Sequence, residues 1–153
     1  AVGYVALGSN TTVANVTAIV QVGLHHNTTG DNNTAVGNGA LQQNTTADNN
    51  TALGKSALTT NTTGTNNVAV GSLALDAKTT GNNNTAIGKG SLSENTTGGQ
   101  NTGVGTFSAS VLTTGADNVA LGYHTLNACT SGGQNVAIGR NSLDNNFPLS
   151  SNS

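Results

Sequence analysis

The chain has 153 residues, of which 7% are charged and 3% aromatic, and its formal net charge at pH 7 is −2. Ordinary domains contain about 25% charged and about 45–50% apolar residues, so a hydrophobic content of 34% argues against a thick globular core. The charge balance argues against nucleic-acid binding. No apolar run reaches the roughly 18 residues that a membrane-spanning helix needs.

A short pattern, Asn-x-Ala-x-Gly, recurs every seventeen residues along the chain. It begins as AVG at 1–3 and VTAIV at 16–20, and continues as NTAVG (33–37), NTALG (50–54), NVAVG (67–71), NTAIG (84–88), NTGVG (101–105), NVALG (118–122) and NVAIG (135–139). Nine copies fill residues 1–153 as a single repeat domain, whose last copy is atypical at 147–151. Self-similarity at a fixed period predicts a repeat architecture.

Two sets of large apolar residues keep a constant phase through these copies. The residue before the glycine is always aliphatic, and we call this set the aliphatic column: Val2, Ile19, Val36, Leu53, Val70, Ile87, Val104, Leu121 and Ile138. Four residues after the glycine comes the leucine column: Leu7, Leu24, Leu41, Leu58, Leu75, Leu92, Ala109, Leu126 and Leu143. A disordered linker has no reason to maintain such columns, so we expect them to form the core.

A seventeen-residue unit cannot bury an apolar face alone, but stacked copies can. We therefore predict an all-β protein, a parallel β-solenoid (β-roll) of nine seventeen-residue coils. In each coil, Asn-x-Ala-x-Gly forms one strand, a second strand follows around x-x-Ala-Leu, and Asn-Thr-Thr-Gly forms a corner. Because side chains alternate along a strand, the aliphatic column is expected to point into the coil, beside the leucine column of the opposite wall.

Asparagine at the start of the pattern predicts an amide ladder. Side-chain amides stacked from coil to coil can hydrogen-bond to one another, as they do in cross-β packing. We call this set the asparagine ladder: Asn33, Asn50, Asn67, Asn84, Asn101, Asn118 and Asn135.

The ends of the chain suggest self-association. Phe147-Pro148 is a weak candidate for a cap, because proline removes a donor from the strand ladder. Asn152-Ser153 nevertheless resumes the phase of the repeat, and Ala1-Val2-Gly3 would continue it. We therefore expect a window of a longer fibre, or a homo-oligomer whose subunits stack head to tail in an open filament.

The repeat unit, as in NTTGTNNVAVGSLAL (61–75) and NTTGGQNTGVGTFSA (95–109), resembles repeats of long phage tail-fibre and bacterial surface-fibre proteins. Its Ala-Ile-Gly strand is also similar to the head repeats of trimeric autotransporter adhesins. The resemblance implies a β-roll, frequently a trimer, that projects from a virion or a cell to meet a surface. It implies an extracellular location and no particular receptor.

Nothing in the sequence forms a catalytic constellation, so we expect no enzymatic activity and no cofactor. His25, His26 and His124 fall in different columns and share no ligand spacing with Cys129, so no metal site is expected. Lys55, Lys89 and Arg140 share one column beside Tyr4 and Tyr123. This column is either a solvated face or a strip that contacts cell-surface glycans.

Nine Asn-x-Thr sequons fall into two columns and predict covalent glycans in rows along the rod, wherever the source glycosylates asparagine. The corner sequons head the Asn-Thr-Thr segments: Asn10, Asn27, Asn44, Asn61 and Asn95. The strand-start sequons are Asn15, Asn32, Asn49 and Asn83.

The function that we expect is that of a structural fibre shaft or filament subunit, which associates with itself. Two alternatives are an ice-binding solenoid and a glycan-binding surface adhesin. Paired threonines at the corners raise the first alternative, but ice-binding faces need alternate residues of a flat strand, because those share one side.

Overall fold

The structure is a computed structural model that describes residues 1–12, 14–19, 21–77 and 80–144. These ranges contain a parallel β-solenoid without helices, and thus no helix long and apolar enough to cross a bilayer. Its strands are β1 (Thr17–Ile19), β2 (Thr34–Val36), β3 (Thr51–Leu53), β4 (Val68–Val70), β5 (Thr85–Ile87), β6 (Thr102–Val104), β7 (Val119–Leu121) and β8 (Val136–Ile138).

All eight strands form one parallel sheet in the order of the sequence. Each strand pairs with the next in a seventeen-residue register, so that Ala18 lies opposite Ala35 and Ile19 opposite Val36. The predicted β-solenoid is therefore confirmed, although its coil count is slightly smaller than nine. The first repeat joins the sheet only through a bridge between Val2 and Ile19, and the atypical segment 147–151 lies outside the described residues.

The faces of the strands are the reverse of the prediction. In every strand the middle residue is buried, whereas the first and third residues are exposed or half-buried. The buried set, which we call the alanine column, is Ala18, Ala35, Ala52, Ala69, Ala86, Gly103, Ala120 and Ala137. The predicted core position is wrong for the whole aliphatic column, which faces outward: Val2, Ile19, Val36, Leu53, Val70, Ile87, Val104, Leu121 and Ile138.

The narrow interior explains this reversal. Gly103 occupies the alanine column of β6, and a methyl group there would lie 2.6 Å from Ser91 Oγ and 3.1 Å from Leu92 Cγ. The opposite wall therefore approaches so closely that the strand has room for nothing larger than alanine. A valine or isoleucine at this position would overpack the core.

The opposite wall is a turn instead of the predicted second strand. Around x-x-Ala-Leu every second residue has a positive φ. The leucine is one of these residues, with φ of 51° at both Leu58 and Leu75. This left-handed conformation is uncommon for a bulky residue. It turns the leucine inward within a very short segment, and backbone hydrogen bonds such as Leu58 N–H to the Ala74 carbonyl (3.0 Å) still connect successive coils.

The leucine column forms the apolar core together with the alanine column. Leu24, Leu41, Leu58, Leu75, Leu92 and Leu126 are fully buried, and Ala109 replaces leucine in one coil. The two end members differ, since Leu7 is only partly buried and Leu143 is 41% exposed. The core is thus one leucine and a few small residues thick.

The glycine that follows each strand is required by close stacking. Gly71 has φ 133°, and a methyl group there would lie 2.6 Å from both the carbonyl carbon and the carbonyl oxygen of Gly88 in the next coil. The same approach recurs between Gly37 and Gly54. Only glycine combines this backbone conformation with the missing side chain.

Candidate functional site

The asparagine ladder lies inside the solenoid and connects each coil to the next. Asn67 Oδ1 accepts hydrogen bonds from the backbone N–H (3.0 Å) and the Nδ2 (3.1 Å) of Asn84, and Asn67 Nδ2 donates to the Gly81 carbonyl at 3.0 Å. All seven members are buried: Asn33, Asn50, Asn67, Asn84, Asn101, Asn118 and Asn135. The ladder therefore satisfies buried polar groups while it holds the register.

A second buried ladder, which the sequence alone does not reveal, contains three of the predicted glycosylation sites, and a fourth lies in the same column. Asn44 Nδ2 donates to Asn27 Oδ1 at 2.7 Å, and Asn61 Nδ2 donates to Asn44 Oδ1 at 3.0 Å. Asn27, Asn44, Asn61 and Asn95 are fully buried. A sugar on Nδ2 cannot be placed inside the coil, so the predicted glycosylation of these four corner sequons is wrong.

The other five sequons lie on the surface. Asn10 and the strand-start sequons Asn15, Asn32, Asn49 and Asn83 are exposed. The strand-start asparagines have φ between 56° and 60°, a left-handed conformation that asparagine adopts more easily than most residues. This backbone conformation is enough to explain why asparagine occurs at these positions. Glycosylation of these asparagines stays a prediction.

The two threonines of each corner pair differ in burial and in hydrogen bonding. The first threonine is mostly half-buried, and its hydroxyl donates to a carbonyl of the next coil, as from Thr28 Oγ1 to Thr45 O at 3.0 Å. The second threonine, such as Thr29 or Thr46, is exposed. Because the pair lies at a corner, it forms no flat two-column face.

The flat surface of the molecule is the outer face of the sheet. It consists of the first and third residues of each strand, that is, a column of Thr or Val and the aliphatic column. None of these residues is charged, and Ile19, Leu53, Ile87 and Ile138 are 41–66% exposed. With strands about 4.8 Å apart, the eight strands make an uncharged strip roughly 35 Å long.

A cluster of aromatic and cationic side chains follows the strands of the C-terminal half. The Lys89 Nζ lies 5.6 Å from the ring centroid of Phe107, and the Arg140 guanidinium carbon lies 5.4 Å from that of Tyr123. The His124 ring lies between the two aromatic rings, with centroid distances of 5.3 Å to Phe107 and 4.4 Å to Tyr123. We call these five residues the aromatic cluster.

The titratable groups elsewhere do not converge on one point. Within the described ranges, no group of three or more His, Cys, Asp or Glu side chains could hold a metal ion. His25 and His26 contact each other, and Cys129 is a buried thiol whose Sγ lies 3.7 Å from the Gly132 carbonyl. Burial raises the pKa of Asp76 above its ordinary value of 3.8, and the charge of Glu94 adds to this rise.

The sequence reading placed Lys89, Arg140 and Tyr123 in one column, and the structure brings all three into the aromatic cluster. It did not find Phe107 or His124, because these belong to the neighbouring column, where the other coils carry unrelated residues. Lys55 and Tyr4 share the first column but lie outside the cluster. No protein-family model, curated protein or solved structure matches this chain.

Proposed function

We propose that the chain is a structural subunit of an extracellular fibre, in which several solenoids lie side by side through the outer face of the sheet. The observation that supports this most is the outward position of the aliphatic column. A rod that works alone in water has no need of an apolar residue there in every coil. Contiguous exposed apolar patches of a few hundred Å² usually mark an interaction site.

The exposed area of the strip favours association. Val2, Ile19, Leu53, Ile87 and Ile138 are 41–66% exposed, and the other four members of the aliphatic column are half-buried. Covering an exposed member contributes about 1 kcal/mol and covering a half-buried one contributes less, so the column contributes about 5–8 kcal/mol per rod, against an association cost of about 4–15 kcal/mol. Because the gain grows with every coil while the main cost arises once, longer rods associate more strongly.

The spacing of the strip fits a second copy of the same chain. Its ridges recur at the strand spacing of about 4.8 Å, and another solenoid presents ridges with the same spacing. Two rods can therefore interdigitate over their whole length, whereas an ordinary globular partner would match only a few coils. The proposal includes end-to-end stacking, because a second chain would continue the parallel sheet in the same register.

The proposal is tested by sedimentation velocity and negative-stain electron microscopy. We expect the unmodified chain to sediment as a multimer, and its fibres to be longer than the roughly 43 Å of nine coils. The variant Leu53→Lys/Ile87→Lys places charges in the strip and should form only rods that are one solenoid wide, with an unchanged circular dichroism spectrum. The control Thr46→Lys/Thr97→Lys adds the same charges at exposed corners and should keep the width of the parent fibres. A monomeric parent chain, or fibres of the Leu53→Lys/Ile87→Lys variant that are as wide as those of the parent, would contradict the proposal.

Ice binding is a second candidate, and one observation favours it. Thr17, Thr34, Thr51, Thr85 and Thr102 lie in register on the flat outer face, each two residues before an aliphatic residue. Val68, Val119 and Val136 interrupt this threonine column, however, while the aliphatic column is unbroken. Thermal hysteresis that is lost in Thr51→Lys would support ice binding, and a hysteresis of zero removes it.

A further inference from the structure

We infer that the aromatic cluster, Lys89, Phe107, Tyr123, His124 and Arg140, is a binding site for an acidic polysaccharide. This inference goes beyond the proposed shaft function, because it gives the side of the fibre a ligand. The cluster belongs to two adjacent columns that follow the strand glycine, and it extends over four successive coils. The distance between the first and last of these coils is about 14 Å, which suits a chain of several sugar units.

The cluster concentrates residue types that the rest of the chain avoids. The protein contains only two Tyr, two Phe and four Lys or Arg residues. Half of the aromatic residues and half of the cations lie within residues 89–140, in contact with one another. The repeat does not require them, because other coils place Ser72, Gln21 or Ser56 in the same two columns.

The aromatic surface is fitted to the solenoid beneath it. Phe107 and His124 have φ of 53° and 51°, the left-handed conformation that this column also has in other coils, as at Ser56 and Leu73, so the repeat itself sets the backbone from which the two rings project. A methyl group on Gly90 would lie 2.6 Å from Phe107 Cδ1, so the ring lies directly over that glycine. The ring is thereby held against the backbone of the preceding coil.

His124 is oriented by its neighbours so that it can donate a hydrogen bond. Asn127 Oδ1 accepts from the N–H (3.0 Å) and the Oγ (2.9 Å) of Ser110, which fixes the orientation of the amide. Asn127 Nδ2 therefore donates to His124 Nδ1 at 2.7 Å. With Nδ1 as an acceptor, the neutral ring carries its proton on Nε2, where it can donate to a hydroxyl or carboxylate of a ligand.

The combination of groups specifies the class of ligand. Aromatic faces offer an apolar surface to the C–H groups of a sugar ring, and Tyr123, 45% exposed, presents such a face. Lys89 and Arg140 contact rings, and both are exposed. Their charged groups can donate to carboxylates, with Arg140 able to bind one through two parallel hydrogen bonds. Two cations neutralise too few phosphates for strong nucleic-acid binding, whereas uronic-acid units carry isolated carboxylates.

The test measures binding of an alginate hexasaccharide by calorimetry, with maltohexaose as the uncharged probe. We expect alginate to bind and maltohexaose to bind at least tenfold more weakly. Tyr123→Ser and Arg140→Gln should each weaken alginate binding at least tenfold, which corresponds to the loss of one charged hydrogen bond or stacked ring. Both substitutions introduce residues that other coils already carry in this column, at Ser72 and Gln21.

Lys55→Gln is the matched control, because Lys55 is an exposed cation in the same column as Arg140 and lies outside the cluster. It should leave alginate binding unchanged. The inference fails if alginate does not bind, if maltohexaose binds equally well, or if Lys55→Gln weakens binding as much as Arg140→Gln. Tighter binding of a single-stranded oligonucleotide would assign the cluster to nucleic acid instead. Sedimentation of the same variants shows whether a negative result concerns polysaccharide binding alone or also the proposed side-by-side assembly.

Discussion

Two leucines in one coil provide the sharpest test of the fold. Leu53 belongs to the aliphatic column and Leu58 to the leucine column, five residues later. Leu53 is 46% exposed on the outer face, and Leu58 is fully buried. Replacing each by alanine therefore applies the same chemical change to an outward residue of the strand and to an inward residue of the opposite wall. If both columns formed the core, as the sequence pattern suggested, the two substitutions would cost about the same.

The structure predicts unequal costs. A buried Leu→Ala substitution costs about 2–5 kcal/mol, because it removes apolar contacts and leaves a cavity. Leu58 has φ 51°, but Ala109 occupies the same column with φ 49°, so the backbone accepts alanine there. Leu53 buries only about half of its side chain, and Leu53→Ala should therefore cost about 1 kcal/mol in an isolated rod.

The measurement is urea unfolding followed by circular dichroism, at the lowest protein concentration that gives a usable spectrum. Leu58→Ala should reduce the free energy of unfolding at least twofold more than Leu53→Ala. Raising the protein concentration should increase the cost of Leu53→Ala alone, since only Leu53 becomes covered when rods associate. Equal costs at low concentration would refute the assignment of the two faces.

Three further substitutions test the stacking of the coils and one half-buried carboxylate. Gly71→Ala should reduce the free energy of unfolding in urea by more than about 3 kcal/mol, because the added methyl group meets the backbone of the next coil. The control Gly39→Ala should reduce it by about 1 kcal/mol, because Gly39 has φ 71° but a methyl group there would have no atom nearer than 3.6 Å. Asn67→Ala should cost about 1–3 kcal/mol of stability for each buried backbone group that it leaves unpaired, and it should increase hydrogen exchange in the adjacent coils. Asn66→Ala changes an exposed neighbour and should cost less than about 1 kcal/mol. Asp76→Asn should raise Tm at pH 7, because burial raises the pKa of Asp76 and so penalises its ionised form. Stability associated with Asp76 is present at low pH and is lost as the pH rises from 3.8 through the raised pKa, so the gain should vanish near pH 3.

Most of the architecture could be predicted from the period of the sequence. A constant seventeen-residue spacing fixes the parallel register, and the burial of Leu41 and the hydrogen bonds of Asn67 follow from their constant phase. The faces of the strands could not be predicted in the same way. Alternation states that Ala69 and Val70 point to opposite sides, but it does not state which side is inside. That choice depends on the width of the coil, which only the folded opposite wall determines.

The candidate sites depended on local conformation that composition does not reveal. Asn44 and Asn49 are both asparagines of a sequon, yet Asn44 is buried in a corner and Asn49 is exposed. The backbone is left-handed at Asn49 and at Leu41, which precedes the corner of Asn44, and intrinsic propensity disfavours this conformation for leucine. The aromatic cluster was equally hidden, because its members come from different coils and meet only when the coils are stacked.

The low hydrophobic content of the chain follows from this division between inside and outside. Inside, the alanine column, the leucine column and two ladders of asparagine fill a coil so narrow that Gly103 has no room for a methyl group without displacing its neighbours. The asparagine ladder hydrogen-bonds from coil to coil, so its buried amides replace apolar volume and still find partners. Outside, the aliphatic column contributes little to the stability of a single rod. Its presence in all nine repeats supports the proposed side-by-side association, and the matched Leu53 and Leu58 substitutions measure how differently the two faces contribute to the stability of one rod.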